Sequence, residues 1–425
     1  MSQLNPTLNA AQADQLYFDI TVSNFKSTTV KPPEFYFNEQ RTMPFVSNPQ
    51  DYYLSILRFT METGSLPVFI PSIEPNQADL NKTLYSLRID WETDAGLGAG
   101  IETKATSGEK FVSFIPQDGS VSIPLPPNQT DNGLQNNSTG YYNVYNYGWF
   151  IDLINITLGE AYADLAVAIT AATTPGPSPY GPAPGNGATD AAPFLNWDTT
   201  SNSAVAYFDF SAFGTNNGTS GPVGRFKLYF NAPLFALFPT FPAKYKGYAP
   251  ALVGRNFLFE PRNNGSSDLD TITVAPVPPA PAPPTYRAVK VYQDCSTIAN
   301  MSPITAVVFV SNTLPIQSNQ VSTPLIFNNS QEVVLGGNNS NFANIITDLV
   351  SDTGQYKPNL VYNPSSQYRL ITLYGNTPIS NIDLRVFWRN KFGQLNPFII
   401  NSGEAITMKV AFLKKSAYNN KNFNP

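Results

Sequence analysis

Aromatic rings offer stacking chemistry, and the sequence crowds them into one stretch: Tyr141, Tyr142, Tyr145, Tyr147, Trp149 and Phe150. Flat rings stack on pyranose faces, and neighbouring asparagine side chains would complete the hydrogen bonding to a sugar. The same stretch leads into a helical pattern, and tyrosine joins an apolar body to a polar tip that suits protein contacts equally well. Tyr141, Tyr142, Tyr145, Tyr147 and Trp149 therefore stand as interface or glycan-facing aromatics, with core and interface packing as the simpler role. Acid chemistry is the other candidate: Glu39, Glu62, Glu92 or Glu160 could supply the two carboxylates of a glycosidase. The separation of two acids is a three-dimensional quantity, however, and exposed charge is the ordinary role of such residues.

Composition removes most other reactive chemistry. No histidine occurs among the 425 residues, so every imidazole-dependent mechanism is excluded. Cys295 is the one cysteine, which rules out an intrachain disulfide and leaves thiolate or Cys/His zinc sites without ligands. Gly96-Leu97-Gly98-Ala99-Gly100 follows a strand pattern, yet Ile101-Glu102-Thr103-Lys104 does not open an apolar helix that could hold a pyrophosphate, so this is a loop. Asp268 and Asp270 have the alternate spacing of a calcium loop without its central glycine and further oxygens. Asn-x-Ser/Thr triplets at Asn81, Asn128, Asn137, Asn217 and Asn338 arise by chance in a chain this rich in Asn and Thr, and are read as unmodified. The expectation is a non-enzymatic chain with no catalytic residue, no cofactor and no metal.

The elements that would position these residues are mostly strands. Leu16, Phe18, Ile20 and Val22 alternate with Tyr17, Asp19, Thr21 and Ser23, which puts one face in a core. The same alternation runs through Leu87, Ile89 and Trp91; Phe226, Leu228 and Phe230; Ile382, Leu384, Val386 and Trp388; and Ile406, Met408, Val410 and Phe412. Proline and glycine pairs such as Pro32-Pro33, Pro126-Pro127 and Gly336-Gly337 punctuate them at intervals suited to a β-sandwich or jelly roll with long Pro/Gly/Asn-rich loops. One segment departs from this: Phe150, Leu153, Ile154, Leu158, Ala161, Tyr162, Leu165 and Ile169 recur at helical spacing, predicting an amphipathic helix near 149–171.

The organisation expected is a polar arm at 1–15, a β-rich domain at 16–275 with an exposed loop at 174–193, a proline-rich linker at 276–285, a C-terminal sandwich at 286–415 and a tail at 416–425. Two tandem sandwiches fit this division; so does a single jelly roll with a large excursion between its early and late strands. Met1 to Asp14 and the end beyond Ser416 are expected to order only beside a neighbour. The N-terminus lacks the basic start and apolar run of a signal peptide, and no stretch reads as a membrane span, so the product is expected to be unsecreted. Charged residues are only 13% of the chain and the net charge is −5, too little basic charge to coat nucleic acid directly.

Several passages resemble the capsid proteins of virophage-like and polinton-like eukaryotic DNA viruses. They are Asp51-Tyr52-Tyr53-Leu54-Ser55-Ile56-Leu57-Arg58-Phe59, Leu66-Pro67-Val68-Phe69-Ile70 and Tyr141 through Leu158, then Ser311-Asn312-Thr313-Leu314-Pro315, Tyr368-Arg369-Leu370-Ile371-Thr372-Leu373 and Ile382 through Phe412. The resemblance implies a structural subunit of an icosahedral virion, at a vertex (penton) or other minor position. It implies partners that are copies of the chain, in cyclic symmetry, and other capsid proteins. The alternatives are a major double-jelly-roll capsid protein and a carbohydrate-binding or host-attachment spike that takes a host glycan.

Overall fold

The computed structural model describes residues 13–25, 34–74, 79–94, 101–117, 140–172, 191–209, 213, 225–249, 254–259, 269–273, 285–316, 325–327, 333–335, 344–350, 359–362, 369–391 and 395–422. The arm as far as residue 12, most of the 174–193 loop, the proline tract 276–284, Gly96 to Gly100, Asp268, and Asn128, Asn137, Asn217 and Asn338 lie outside them. Three strands open the described chain: β1 (Gln15–Ser23), β2 (Tyr36–Gln40) and β3 (Tyr52–Glu62). Its middle holds β4 (Lys82–Asp94), β5 (Ile101–Thr106), β6 (Lys110–Ser113), β7 (Phe194–Asp198), β8 (Ser203–Asp209), β9 (Arg225–Phe230), β10 (Ala243–Tyr245), β11 (Phe257–Phe259), β12 (Leu269–Thr273) and β13 (Thr285–Tyr292). It closes with β14 (Ile304–Ser311), β15 (Leu325–Phe327), β16 (Val333–Leu335), β17 (Asn344–Leu349), β18 (Asn359–Tyr362), β19 (Ile371–Thr372), β20 (Asn381–Asn390), β21 (Leu395–Pro397) and β22 (Ala405–Lys414). The helices are α1 (Tyr147–Ala172), α2 (Ala232–Leu237), α3 (Ile298–Met301) and α4 (Lys415–Asn422).

The strands fall into two compact units, one comprising Met1–Pro67, Gly119–Ser122 and Pro303–Pro425, the other Val68–Asp118 and Ile123–Ser302. In the first, one sheet has the order β1-β22-β3-β18 and the other β17-β14-β20-β2. This is the winding of a jelly roll: the chain is folded double and wrapped so that its first strand lies beside its last. Alternation sets the faces. Phe18 and Ile20 of β1, Ile406, Met408, Val410 and Phe412 of β22, and Ile382, Leu384, Val386 and Trp388 of β20 are all buried. Phe59 of β3 meets Phe309 of β14 edge to face at 4.8 Å, joining the two sheets through the core. Phe18, Phe45 and Phe412 form a second aromatic knot.

The first unit is therefore the single roll with an excursion between its third and fourth strands, and the tandem division does not describe the pairing. The segment 276–285 falls between β12 and β13, which pair with each other, Thr273 opposite Thr285, and β13 also pairs with β8. Both flanks of the proline tract thus belong to the second unit, and among the described residues the chain crosses between units at Pro67-Val68 and Ser302-Pro303. The tail expected from 416 begins as α4, whose Tyr418 packs edge to face on Tyr53, while Lys415 donates to the Gln50 carbonyl.

The second unit has a sheet of order β10-β11-β9-β4-β5, with β6 also paired to β4, and a sheet of order β12-β13-β8-β7. Among the described strands, neither order is that of a roll. The expected helix is α1, which packs on β4, β5, β6 and β7. Its stripe from Phe150 to Ile169 is buried throughout, and Asn146 caps it by accepting from the Gly148 amide at 2.8 Å. Leu87, Ile89 and Trp91 of β4 and Phe226, Leu228 and Phe230 of β9 join this core.

A buried acid anchors the roll. Asp383 of β20 is 3% exposed and accepts from the Ser311 and Thr313 hydroxyls, both at 2.7 Å, and from the Asn312 and Thr313 amides. Burial pushes its carboxyl up, but these donors outweigh burial and hold it below the ordinary 3.8. A depressed folded value stabilises above the unfolded value and is lost as pH falls through the folded one. Asp383→Asn should cost about 3 kcal/mol near neutrality. Urea midpoints should show that loss shrinking as pH falls below 3.8; a pH-independent difference would contradict the anchor.

Candidate functional site

The stretch of clustered rings is built as follows. Val68 and Phe69 bridge to Val144, with Val68 and Val144 donating at 2.7 and 2.9 Å, so the turn before α1 is tied to the start of the second unit. Below it, Phe69, Tyr85 and Phe150 pack together, with Phe69 and Phe150 centroids 4.6 Å apart. Tyr141 and Tyr142 meet edge to face at 5.0 Å, and both contact Phe114. Their hydroxyls are occupied: Tyr141 donates to Asn81 Oδ1 at 3.0 Å and Tyr142 to the Leu80 carbonyl at 2.9 Å. Burial, with Tyr141 and Asp79 nearby, pushes the Tyr142 phenol up to about 12. Tyr147 stacks on Trp197 at 4.7 Å.

Tyr141, Tyr142 and Tyr147 are accordingly inside, in the main core cluster of the unit. The residue types suited a stacking surface, but these three rings have no free face to offer one. Tyr145 remains 39% exposed, its amide held by Gln117. Trp149 is half-buried, and its indole N–H donates to the Ile115 carbonyl at 3.0 Å. Of the triplet asparagines named above, Asn81 lies within the described residues, with its side-chain oxygen on Tyr141.

The candidate acids are not brought together. Glu39 pairs with Arg41, Glu160 lies exposed on α1, and Glu62 ends β3 near Glu404. Burial raises the Glu404 carboxyl; hydrogen bonds from Asn401 oppose this and the Glu62 charge adds to it. Nothing is described of the Glu92 side chain. Among the described residues no group of three or more Asp, Glu or Cys side chains could hold a metal ion.

Sequence reasoning missed the acid at the centre of the second unit. Asp90 of β4 is completely buried and paired with Arg88 at 2.8 Å and Arg255 at 2.6 Å. Arg88 also donates to Thr106. Two cations sharing one buried carboxylate fix β4, β5 and the Arg255 segment, which is a structural task. The Arg88-x-Asp90 spacing on one strand face was a visible signal, whereas Arg255 lies 165 residues away.

What stays at the surface is tyrosine-rich: Tyr17, Tyr36, Tyr145, Tyr245, Tyr248, Tyr292 and Tyr374 are all exposed. On the roll, Lys409 lies over Tyr17 and Arg385 over Tyr36, so cation and ring share the outer sheet faces. Amphipathic rings beside charges are residue types enriched where protein surfaces meet.

Comparison with known proteins gives the same direction. Residues 16–414 match the family described as Sputnik minor capsid protein V18/19. The uncharacterized protein V18 of Sputnik virophage is 30% identical over 172 residues, 40% of this chain and 96% of that protein. Structural protein V19 of Sputnik virophage is 28% identical over 193 residues, 45% of this chain and 82% of that protein. A chain of the Sputnik virophage cryo-EM structure superimposes with a TM-score of 0.71 at 25% identity, covering 96% of this chain and 99% of that one. The mavirus penton protein shares the fold, with a TM-score of 0.53 at 15% identity over 94% of this chain and 99% of that one.

If the clustered rings serve the core, Tyr142→Ala should lower stability by about 3 kcal/mol or more. Tyr145→Ala should change it by less than about 1 kcal/mol. Equal losses in chemical denaturation would contradict this division of roles.

Proposed function

Because this chain belongs to the Sputnik minor capsid protein V18/19 family, we propose that it takes a vertex (penton) position in an icosahedral shell, as a non-enzymatic subunit. It is a capsid structural protein of the virion, and it works with other capsid proteins. One observation carries the vertex reading: among the described strands the first unit makes one roll, and the strand orders of the second unit are not those of a second roll. Among the described strands, the double-roll build of a major coat protein therefore has no counterpart. The fold shared with the mavirus penton protein supports the same position.

Assembly by contact needs no reactive group, and the chain's surface chemistry suits it. Many modest tyrosine-lined contacts, repeated around a symmetry axis, sum to a stable shell. A chain whose one cysteine is free and exposed suits assembly in the reducing interior of the host cell. Among the described residues no helix is long and apolar enough to cross a membrane. A net charge of −5 leaves nucleic-acid coating to other proteins. Host-glycan binding gains no support from a ring cluster whose Tyr141, Tyr142 and Tyr147 are buried.

Electron microscopy of the purified full chain should show closed rings, and addition of the virus's major coat protein should incorporate them at shell vertices. Incorporation on the shell faces instead would contradict the vertex reading, and failure to co-assemble at all would contradict the coat role.

A further inference from the structure

A row of rings lies at the margin of the second unit. Tyr245 of β10 stands opposite Phe257 of β11, so the two share one face of the sheet. Their centroids are 5.3 Å apart; Tyr248 adds a ring 5.4 Å beyond Tyr245, and Phe235 of α2 stacks on Phe257 at 4.0 Å. On the inner side Phe257 faces Phe230 of β9, which is completely buried. The core therefore accounts for one end of the row. At the other end Tyr245 is 53% exposed and Tyr248 66%, and neither phenol makes a hydrogen bond among the described residues. Four uncharged rings with two free hydroxyls suit a ligand that is neutral, apolar and rich in hydrogen-bond acceptors.

The chain itself carries such a ligand. Residues 274–284, which connect the paired Thr273 and Thr285, read Val-Ala-Pro-Val-Pro-Pro-Ala-Pro-Ala-Pro-Pro and hold no charged side chain. Proline offers a carbonyl acceptor without an N–H donor. Sequences of this composition favour polyproline II, a helix of three residues per turn whose backbone is open to partners; one turn, about 9 Å, covers two neighbouring rings. Aromatic grooves recognise that helix by stacking on proline rings while phenol hydroxyls donate to its carbonyls.

We propose that the row Tyr248, Tyr245, Phe257 and Phe235 docks the proline tract 276–284 of a second copy of this chain. The tract leaves from the Thr285 end of β13, a strand whose eight residues span about 24 Å. Past the opposite end of that strand the Asp294 amide donates to the Thr240 carbonyl, just beyond α2, which carries the inner ring of the row. The midpoint of the tract is six residues from either anchor, about 19 Å at the polyproline rise. A copy's own tract is thus held away from its own row, whereas a neighbour's can lie along it. Ring row and tract come from different places on the same chain, so the contact is head to tail, as in a closed ring of copies. This rests on the capsid reading and names the surfaces through which copies associate.

Sedimentation velocity of the full chain tests it with two variants. Tyr245→Ala with Tyr248→Ala removes the outer rings, and Pro278→Ala with Pro279→Ala and Pro281→Ala breaks the tract; each should raise the dissociation constant for self-association at least tenfold. Mixed together, the two should associate as pairs, because one supplies the tract and the other the rings. A labelled peptide of residues 274–285 should bind the tract variant and lose affinity at least tenfold when the two tyrosines are also replaced. Unchanged circular dichroism and unfolding midpoints would show that each variant is folded. Native association that ignores both variants, a mixture no better than its parts, or rings that bind saccharides and not the peptide would overturn the proposed contact while leaving the capsid reading intact. A native chain that neither self-associates nor joins other capsid proteins would overturn both.

Discussion

The fold depends on one pairing. β1 runs antiparallel to β22 from Gln15 opposite Leu413 to Ser23 opposite Ala405, and β22 in turn lies along β3. Strands about 390 residues apart in sequence thus lie side by side in one sheet, β1 at its edge and β22 between β1 and β3. Nothing local dictates this; each strand can bury Phe18, Met408 or Phe59 only by finding the others. The roll's core, its inter-sheet contact at Phe59 and Phe309, and the anchoring of the β14 end by Asp383 all presuppose that closure.

Once the roll is closed by the chain's ends, its interior connections are free to grow. Loop-closure entropy rises only slowly with length, so a large unit between β3 and β14 costs the roll little. That unit has its own core, centred on β4, β9 and α1, and its own buried ion cluster at Asp90. It adds surface that the roll alone does not possess.

Much of this was legible in the residues. Period-two alternation fixed which side chains of β1, β4, β9, β20 and β22 face inward, because a strand's side chains must alternate. The helical stripe from Phe150 to Ile169 was equally plain. Pairing partners were not legible, since alternation reports a face and never a neighbour. The proline tract at 276–284 was misleading for a physical reason: proline interrupts a hairpin connection as readily as it separates domains, and β12 and β13 pair across it. The five candidate aromatics were ambiguous in the same way. Tyr141 and Tyr142 are adjacent yet both buried, because they sit in a turn where no alternation applies. The Asp90 cluster needed Arg255, which only the fold brings near.

A contact-driven coat subunit therefore follows from a frame that both chain ends must complete. Native-state hydrogen exchange on the full chain, read by mass spectrometry, tests that frame most directly. Amides of β1, β3 and β22 should open together, with one common protection. If β1 exchanged at the rate of an exposed loop while β22 stayed protected, the roll would not be closed by its ends, and the account built on it would fail.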